Sequence, residues 1–334
     1  ISMILITGAT GIVGSHIAVQ LLQASNDVRL LVRPSSNKTA IIQLLRYHSL
    51  EDTFNYVEGD INDPLSLENA MDGVDIVYHC AAAVHFGSGR RDELFLVNVM
   101  GTRRVADMCL RRQVKLCYIS STAAIGSETF DGVIKEESKW EEDADRSDYS
   151  LSKREAEMEV FRAVEEGLDA VIVNPCVIIG PGNWGMSSTS VILAATKGLL
   201  FYPSGSNAFV DARDVADIAV SLANSPHDVI GRHLLIGENM SFKRFFDIAC
   251  ELANSRKPSV AAPTGLILTL ATIIKLFERI GFWPFKLSSS SLESACRKTV
   301  FSNDKIKGLG MEFRPLEDSV QYALSVYQMK ENRA

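Results

Sequence analysis

Across its 334 residues the chain has little of what marks a metal, nucleic-acid or membrane protein. No two of its six cysteines form a C-x-x-C pair and no histidine cluster stands near them at zinc-finger spacing, so no structural zinc is expected. Several lie in apolar runs such as VYHCAAA and LCYIS, where a free thiol behaves as a small core residue in a reducing compartment. The six histidines show no H-x-x-x-H spacing on a plausible helix, so no metal site is proposed. A formal net charge of -7 and a pI near 5.5 leave no basic footprint for nucleic acid or anionic lipid. No internal repeat or low-complexity tract is present.

Long uncharged runs are missing too. The greasiest stretch, GLILTLATIIKLFERIGFWPF at 265 to 285, meets Lys275 after about ten residues, far short of the ~20 that span a bilayer. It reads as a helix lining an apolar pocket, with an interfacial helix touching membrane as the lesser alternative. Met3 reads as the natural start, and it leads straight into a strand pattern without a signal peptide. A cytoplasmic location is expected.

What is present is rhythm. From Met3 to about Pro175, short β-branched runs (MILIT, VRLLVR, FNYVEGD, DIVYHCAAA, VKLCYISS, DAVIVNP) alternate with helical segments, including one helix near 91 to 111. Strand cores that are apolar throughout imply a parallel sheet covered on both faces, a doubly wound α/β fold. After Pro175 the rhythm breaks at the loop IIGPGNWGMSSTS and resumes at FVDARDVADIAVSLA and HLLIG. The expected division is a nucleotide-binding domain of residues 1–175 and about 209–237, and a smaller, mainly helical substrate lobe of 176–208 and 238–334.

LITGATGIVGSHI follows the first strand and opens the first helix, with Gly8, Gly11 and Gly14 at three-residue spacing. Glycine serves where a tight turn needs positive φ and where backbone must approach a pyrophosphate or a neighbouring strand. The helix start then offers free N–H groups to phosphate. The run DYSLSKREAEME at 148 to 159 places Tyr149 and Lys153 four apart, hence on one helical face. Alone, such a pair is an ordinary surface pair; beside a dinucleotide turn it acquires a meaning.

Together, G-x-x-G-x-x-G and Tyr149-x-x-x-Lys153 resemble the extended subgroup of the short-chain dehydrogenase/reductase superfamily. The likeness continues in order through GDI at 59 to 61, HCAAAV at 79 to 84, VNVMGT at 97 to 102, YISSTAAIG at 118 to 126, NPCVIIGPG at 174 to 182 and the element around Asp214. The resemblance implies a catalytic Ser121, with Thr122 second, together with Tyr149 and Lys153. It implies cofactor contacts from Gly8, Thr10, Gly11, Ile12 and Gly14, from Asp60 and Ile61 near adenine, and from Ala81, Ala82 and Ala83 beside the pyrophosphate. Asn98, Tyr149, Lys153, Pro175 and Val177 complete the set, Asn98 ordering a helix bend and nearby backbone. His85 faces the pocket or is a hydrogen-bonded structural histidine, and Ser120 reads as a packed strand residue. In the implied mechanism hydride passes between nicotinamide and a carbonyl carbon, tyrosine supplies the proton, and lysine holds the nicotinamide ribose. An ammonium ~4 Å away at an effective dielectric of ~20 favours phenolate by roughly 4 kcal/mol, so Lys153 is expected to bring Tyr149 near pH 7.

The second strand ends RLLVRPSSNK, and Arg33 stands where NAD-specific proteins carry an acid for the ribose 2′-hydroxyl. With Ser35, Ser36 and Lys38 nearby, this favours NADP(H), NAD(H) remaining possible; a solvated strand-end arginine is the plain alternative. Within the subgroup, LVRP and NPCVIIGPG look most like the dihydroflavonol 4-reductase and 3β-hydroxysteroid dehydrogenase branch. That likeness implies reduction of a ketone or aldehyde, or oxidation of a secondary alcohol, of a fairly apolar small molecule. The rival is an NAD-dependent nucleotide-sugar epimerase or dehydratase, for which Arg232, Arg244 and Arg256 are candidate diphosphate ligands. A non-catalytic nucleotide sensor is the alternative of another class. Resemblance also implies a homodimer paired through the helices near 91 to 111 and 148 to 165.

Overall fold

A computed structural model describes residues 2–50, 55–84, 90–126, 132–141, 146–186, 188–225, 231–279 and 288–331. MILIT forms β1 (Met3–Thr7), and four of its five residues are buried, as a strand covered on both faces requires. The strands β2 (Asp27–Val32), β3 (Asn55–Glu58), β4 (Ile76–His79), β5 (Lys115–Ile119) and β6 (Ala170–Pro175) follow in the predicted order. Beyond them come β7 (Val177–Ile179), β8 (Phe201–Tyr202), β9 (Ser206–Asp211) and β10 (Gly231–Leu235). Seven of these make one sheet, ordered β10-β6-β5-β4-β1-β2-β3, with every pair parallel. Chain direction across the sheet reverses between β1 and β4, so the crevice beyond their carboxyl ends is where such a fold binds ligand.

Helices cover both faces. α1 (Ile12–Gln23) buries nine residues on one side, where Ile17 and Leu21 pack with Ile218 and Leu222 of α8 (Ala212–Ala223). On the other side α3 (Pro64–Ala70), α5 (Thr102–Arg112) and α6 (Asp148–Glu165) bring Leu67, Val105, Ala156 and Val160 together. Each such fully buried leucine or valine side chain contributes about 1.5–3 kcal/mol. The Tyr-Lys helix α6 starts because Ser147 caps it, its hydroxyl accepting the Ser150 N–H at 3.1 Å, and Asp148 in the first turn complements the helix dipole.

The single helix expected near 91 to 111 is divided. α4 (Arg91–Leu94) runs into a π-helical stretch, Phe95–Gly101, before α5 begins. The wider turn carries Asn98, whose long-range side-chain bonds are given below.

The remaining chain builds a second layer. β7, β9 and β11 (Glu238–Ser241) form a three-stranded sheet in the order β11-β9-β7. Its cluster holds Phe209 stacked on Phe245 at 4.6 Å, with Val320 of α13 (Leu316–Glu331); Phe245 belongs to α9 (Phe242–Leu252). Asp214 accepts the Arg314 backbone N–H at 2.8 Å and so ties α8 to the segment leading into α13.

The apolar stretch at 265 to 285 departs from expectation. Its described part is α10 (Thr264–Arg279), on which Ala271 and Ile274 are buried while Leu266, Leu268, Leu270, Ile273 and Leu276 are exposed. Its apolar side chains therefore face outward instead of lining a closed pocket. No helix among the described residues is long and apolar enough to cross a membrane. All six cysteines are free, and the described residues hold no group of ligands suited to a metal ion.

Candidate active site

The glycine turn is dictated by contact. Gly8 has φ +71°, and a Cβ there would stand 2.5 Å from the Ala81 nitrogen; a Cβ on Gly14 would stand 2.5 Å from the Gly8 oxygen. No other residue type fits either place. Gly11 caps α1 without a side-chain bond, leaving first-turn N–H groups available to an anion. Half-buried Thr10 offers its carbonyl to Asn183 Nδ2 at 3.1 Å, and half-buried Ile12 lies beside Gly182. Asn183, inside IIGPGNWG, thus holds the dinucleotide turn from the second layer. The sequence reading missed it, although a polar residue in a glycine-rich loop was visible.

Around this cradle, Arg33 is exposed one residue past β2, in a turn where its carbonyl accepts the Ser36 N–H at 2.9 Å. Lys38 lies over the Tyr56 ring at 4.5 Å. Asp60 fixes its own turn by accepting the Asn62 N–H at 2.8 Å, while Ile61 is buried, its side chain packed against Gly101. At the end of β4, Ala82 is exposed and Ala81 and Ala83 half-buried. Asn98, 1% exposed, accepts the Ala83 N–H at 2.7 Å and donates to the Ala83 carbonyl at 3.0 Å and the Ser152 hydroxyl at 2.9 Å. It locks the crevice wall to α6 and has no free polar atom for substrate. Pro175 is buried and Val177 half-buried where β6 leaves the sheet. His85 lies outside the described residues.

Ser121, Tyr149 and Lys153 converge from β5 and α6. Ser121 sits at the end of β5, its hydroxyl accepting the Ala123 N–H at 3.1 Å and hydrogen-bonding the Tyr149 phenol. Thr122 opens the short 3₁₀ turn that follows, and Ser120 is buried beneath it. Burial raises the Tyr149 pKa, and the Ser121 bond opposes this. Lys153 is 1% exposed and donates to the Ile119 carbonyl at 2.9 Å and the Tyr118 hydroxyl at 3.0 Å. Burial lowers its pKa to about 8, against the pull of Glu157 and then Cys80.

This corrects the expectation that Lys153 brings Tyr149 near neutrality. The ammonium is turned to two buried acceptors on β5, which offset part of its desolvation, and burial keeps the proton on the phenol. Beneath Tyr118 lies His79, stacked at 5.6 Å and wedged between Thr7 Oγ1 at 2.7 Å and Thr102 Oγ1 at 3.0 Å. Burial and then the Lys153 charge lower its pKa to about 3, so it is neutral.

Of the arginines considered for a diphosphate, Arg232 is committed to Glu157 at 2.8 Å. Arg244 makes an exposed pair with Glu317 at 3.4 Å, and Arg256 is exposed.

A parallel sheet with a glycine cradle at its switch point, and a serine, tyrosine and lysine brought together beside it, defines an NAD(P)-dependent enzyme of the extended short-chain dehydrogenase/reductase type. More particularly, residues 4–237 match the model of the NAD dependent epimerase/dehydratase family, and the chain belongs to that family. Sterol demethylase protein B of Methylococcus capsulatus is 32% identical over 280 residues, 82% of each chain. A putative dihydroflavonol 4-reductase of Synechocystis is 30% identical over 80% of this chain and 77% of its own. The crystal structure of gox2253 superposes with a TM-score of 0.82 at 30% identity, over 99% of both chains.

Proposed function

We propose that this protein is an NADP(H)-dependent oxidoreductase that reduces a ketone or aldehyde, or oxidises a secondary alcohol, of a fairly apolar small molecule. The observation that carries the reading is the Ser121 hydroxyl on the Tyr149 phenol, with Lys153 one helical turn further along α6. Nicotinamide, when bound, supplies or accepts the hydride. Tyr149, its pKa raised by burial, holds its proton at neutral pH and can give it to a carbonyl oxygen. Ser121 hydrogen-bonds the same oxygen and stabilises the charge that develops there. Lys153 would hold the nicotinamide ribose and keep a positive charge near the phenol.

Arg33 supports the NADP(H) preference: it is exposed, beyond the end of β2, where a 2′-phosphate would meet a guanidinium. The apolar substrate class draws on the names of the two relatives, which point to a sterol and a dihydroflavonol. Residues 176–208 and 238–334 would form the substrate lobe. Leu96, Met100 and Met158, exposed on the π-helical stretch and α6, support a homodimer paired through that face. A cytoplasmic location completes the reading. Incubating the protein with NADPH and a panel of cyclic ketones and aromatic aldehydes tests it; loss of NADPH absorbance equal to the alcohol formed supports it. Failure on the whole panel, with tightly retained NAD(H), counts for the epimerase.

A further inference from the structure

We infer that Glu157 is a positioning residue for the reaction proposed above, its buried carboxylate fixing the strand end at Ser121 and maintaining the positive charge of Lys153. Glu157 follows Lys153 by one helical turn and Tyr149 by two, on the same face of α6, and is fully buried. A carboxylate persists in such a place only when paired and hydrogen-bonded. Both conditions are met by other elements: Arg232 of β10 approaches to 2.8 Å, and Asn174 of β6 donates to Glu157 Oε1. The same Asn174 amide donates to the Ser121 carbonyl at 3.0 Å. One amide therefore couples the carboxylate to the backbone that carries the catalytic hydroxyl, and Arg232 is itself held by the Glu136 carbonyl at 3.3 Å.

The charge argument follows from what surrounds each group. Glu157 faces Lys153 and Arg154 on α6, Arg232 on β10 and Tyr118 on β5. Lys153 faces Tyr118 on β5, His79 at the end of β4, Cys80 just beyond it, and Glu157. At neutral pH Tyr118 and Cys80 hold their protons, because burial raises both, and His79 is uncharged. Among these neighbours of Lys153, the negative charge comes from Glu157. It opposes the burial that would otherwise neutralise the ammonium.

The inference rests on the Ser-Tyr-Lys reading, and one titration separates the two. NADPH affinity of the whole protein is measured by fluorescence from about pH 6 to about pH 10, bracketing the Lys153 titration. Wild type is expected to lose affinity as pH rises through about 8, where Lys153 loses its proton. Glu157→Gln keeps a carbonyl acceptor for Asn174 but removes the charge, so this alkaline limb should move about one to two pH units toward acid. Arg232→Gln leaves the carboxylate without its counter-ion and should move the limb the other way, which decides the matter should Glu157→Gln not fold. A role confined to packing would lower the unfolding temperature and weaken binding equally at every pH; unmoved limbs in both variants overturn the inference. Lys153→Met keeps the two failures apart. If it abolishes the limb while the other variants leave it in place, the inference alone is wrong; if it retains the wild-type limb and turnover, the catalytic assignment is wrong.

Discussion

The surroundings of α6 and the helix α10 use polarity in opposite ways. Around α6, Lys153, Glu157 and His79 are at most 1% exposed, and each is met by a hydrogen bond or an ion pair from another element. On α10 most of the large apolar side chains are outside, with Leu266 69% and Leu276 62% exposed. Buried charge is tolerated only where its partners are fixed, so the first region can have one arrangement. Exposed apolar surface imposes no such condition, and its side chains can be exchanged without unsettling the fold. The proposed chemistry belongs to the first region, and the proposed recognition of an apolar compound to the second layer.

The sharpest way to break this comparison is Tyr149→Phe. It removes the proton donor and keeps the ring, so turnover should fall ~10²–10⁴-fold with cofactor affinity unchanged. Steady-state rates beside NADPH titration read this, and a variant retaining most of its activity would contradict it. Next in size is cofactor choice. The proposed charged hydrogen bond from Arg33 to the 2′-phosphate would contribute ~1.5–3 kcal/mol, about a ten- to hundredfold preference for NADP(H), and Arg33→Asp should invert it. Titrating both cofactors into both proteins decides the point.

Acid tests the buried polar region as a whole. Burial lowers the pKa of His16 and His233 to about 4 and of His79 to about 3, against an ordinary 6.5. Below 6.5 the unfolded chain binds protons that the folded one refuses, so stability from these groups is full above 6.5 and falls with pH. The loss should be ~1 kcal/mol for each imidazole at about pH 5.5, read by denaturant unfolding at several pH values. The smallest effect belongs to α10: Leu266→Ser should change unfolding free energy by no more than ~0.5 kcal/mol, because the side chain is already in water. A large loss would show that the helix face is covered in solution.

These regions also differ in how far they could be read from sequence. Apolar strand runs, the glycine turn and the Tyr149-Lys153 spacing are local patterns, and each fixes its own geometry. Lys153's partner could not be read, because Tyr118 lies 35 residues away and the ammonium's choice among buried acceptors is a tertiary matter. The bond from Asn183 to Thr10 spans 173 residues and depends on how the second layer docks. At Asn98 resemblance implied a helix bend, but not the π-helical form or the partners, since the bonds to Ala83 and Ser152 span 15 and 54 residues. For α10, composition announced an apolar helix but not which way it would face.

Isotope transfer measures the central claim most directly. NADPH deuterated at its transferable hydrogen is given to the protein with a carbonyl compound that it turns over, and product is examined by mass spectrometry and NMR. The account predicts one deuterium on the carbinol carbon of each alcohol molecule, one NADP⁺ formed per product, and label transfer by Tyr149→Phe slowed ~10²–10⁴-fold, as its turnover is. Interconversion of stereoisomers without net consumption of NADPH, or label transfer undiminished in Tyr149→Phe, would contradict it.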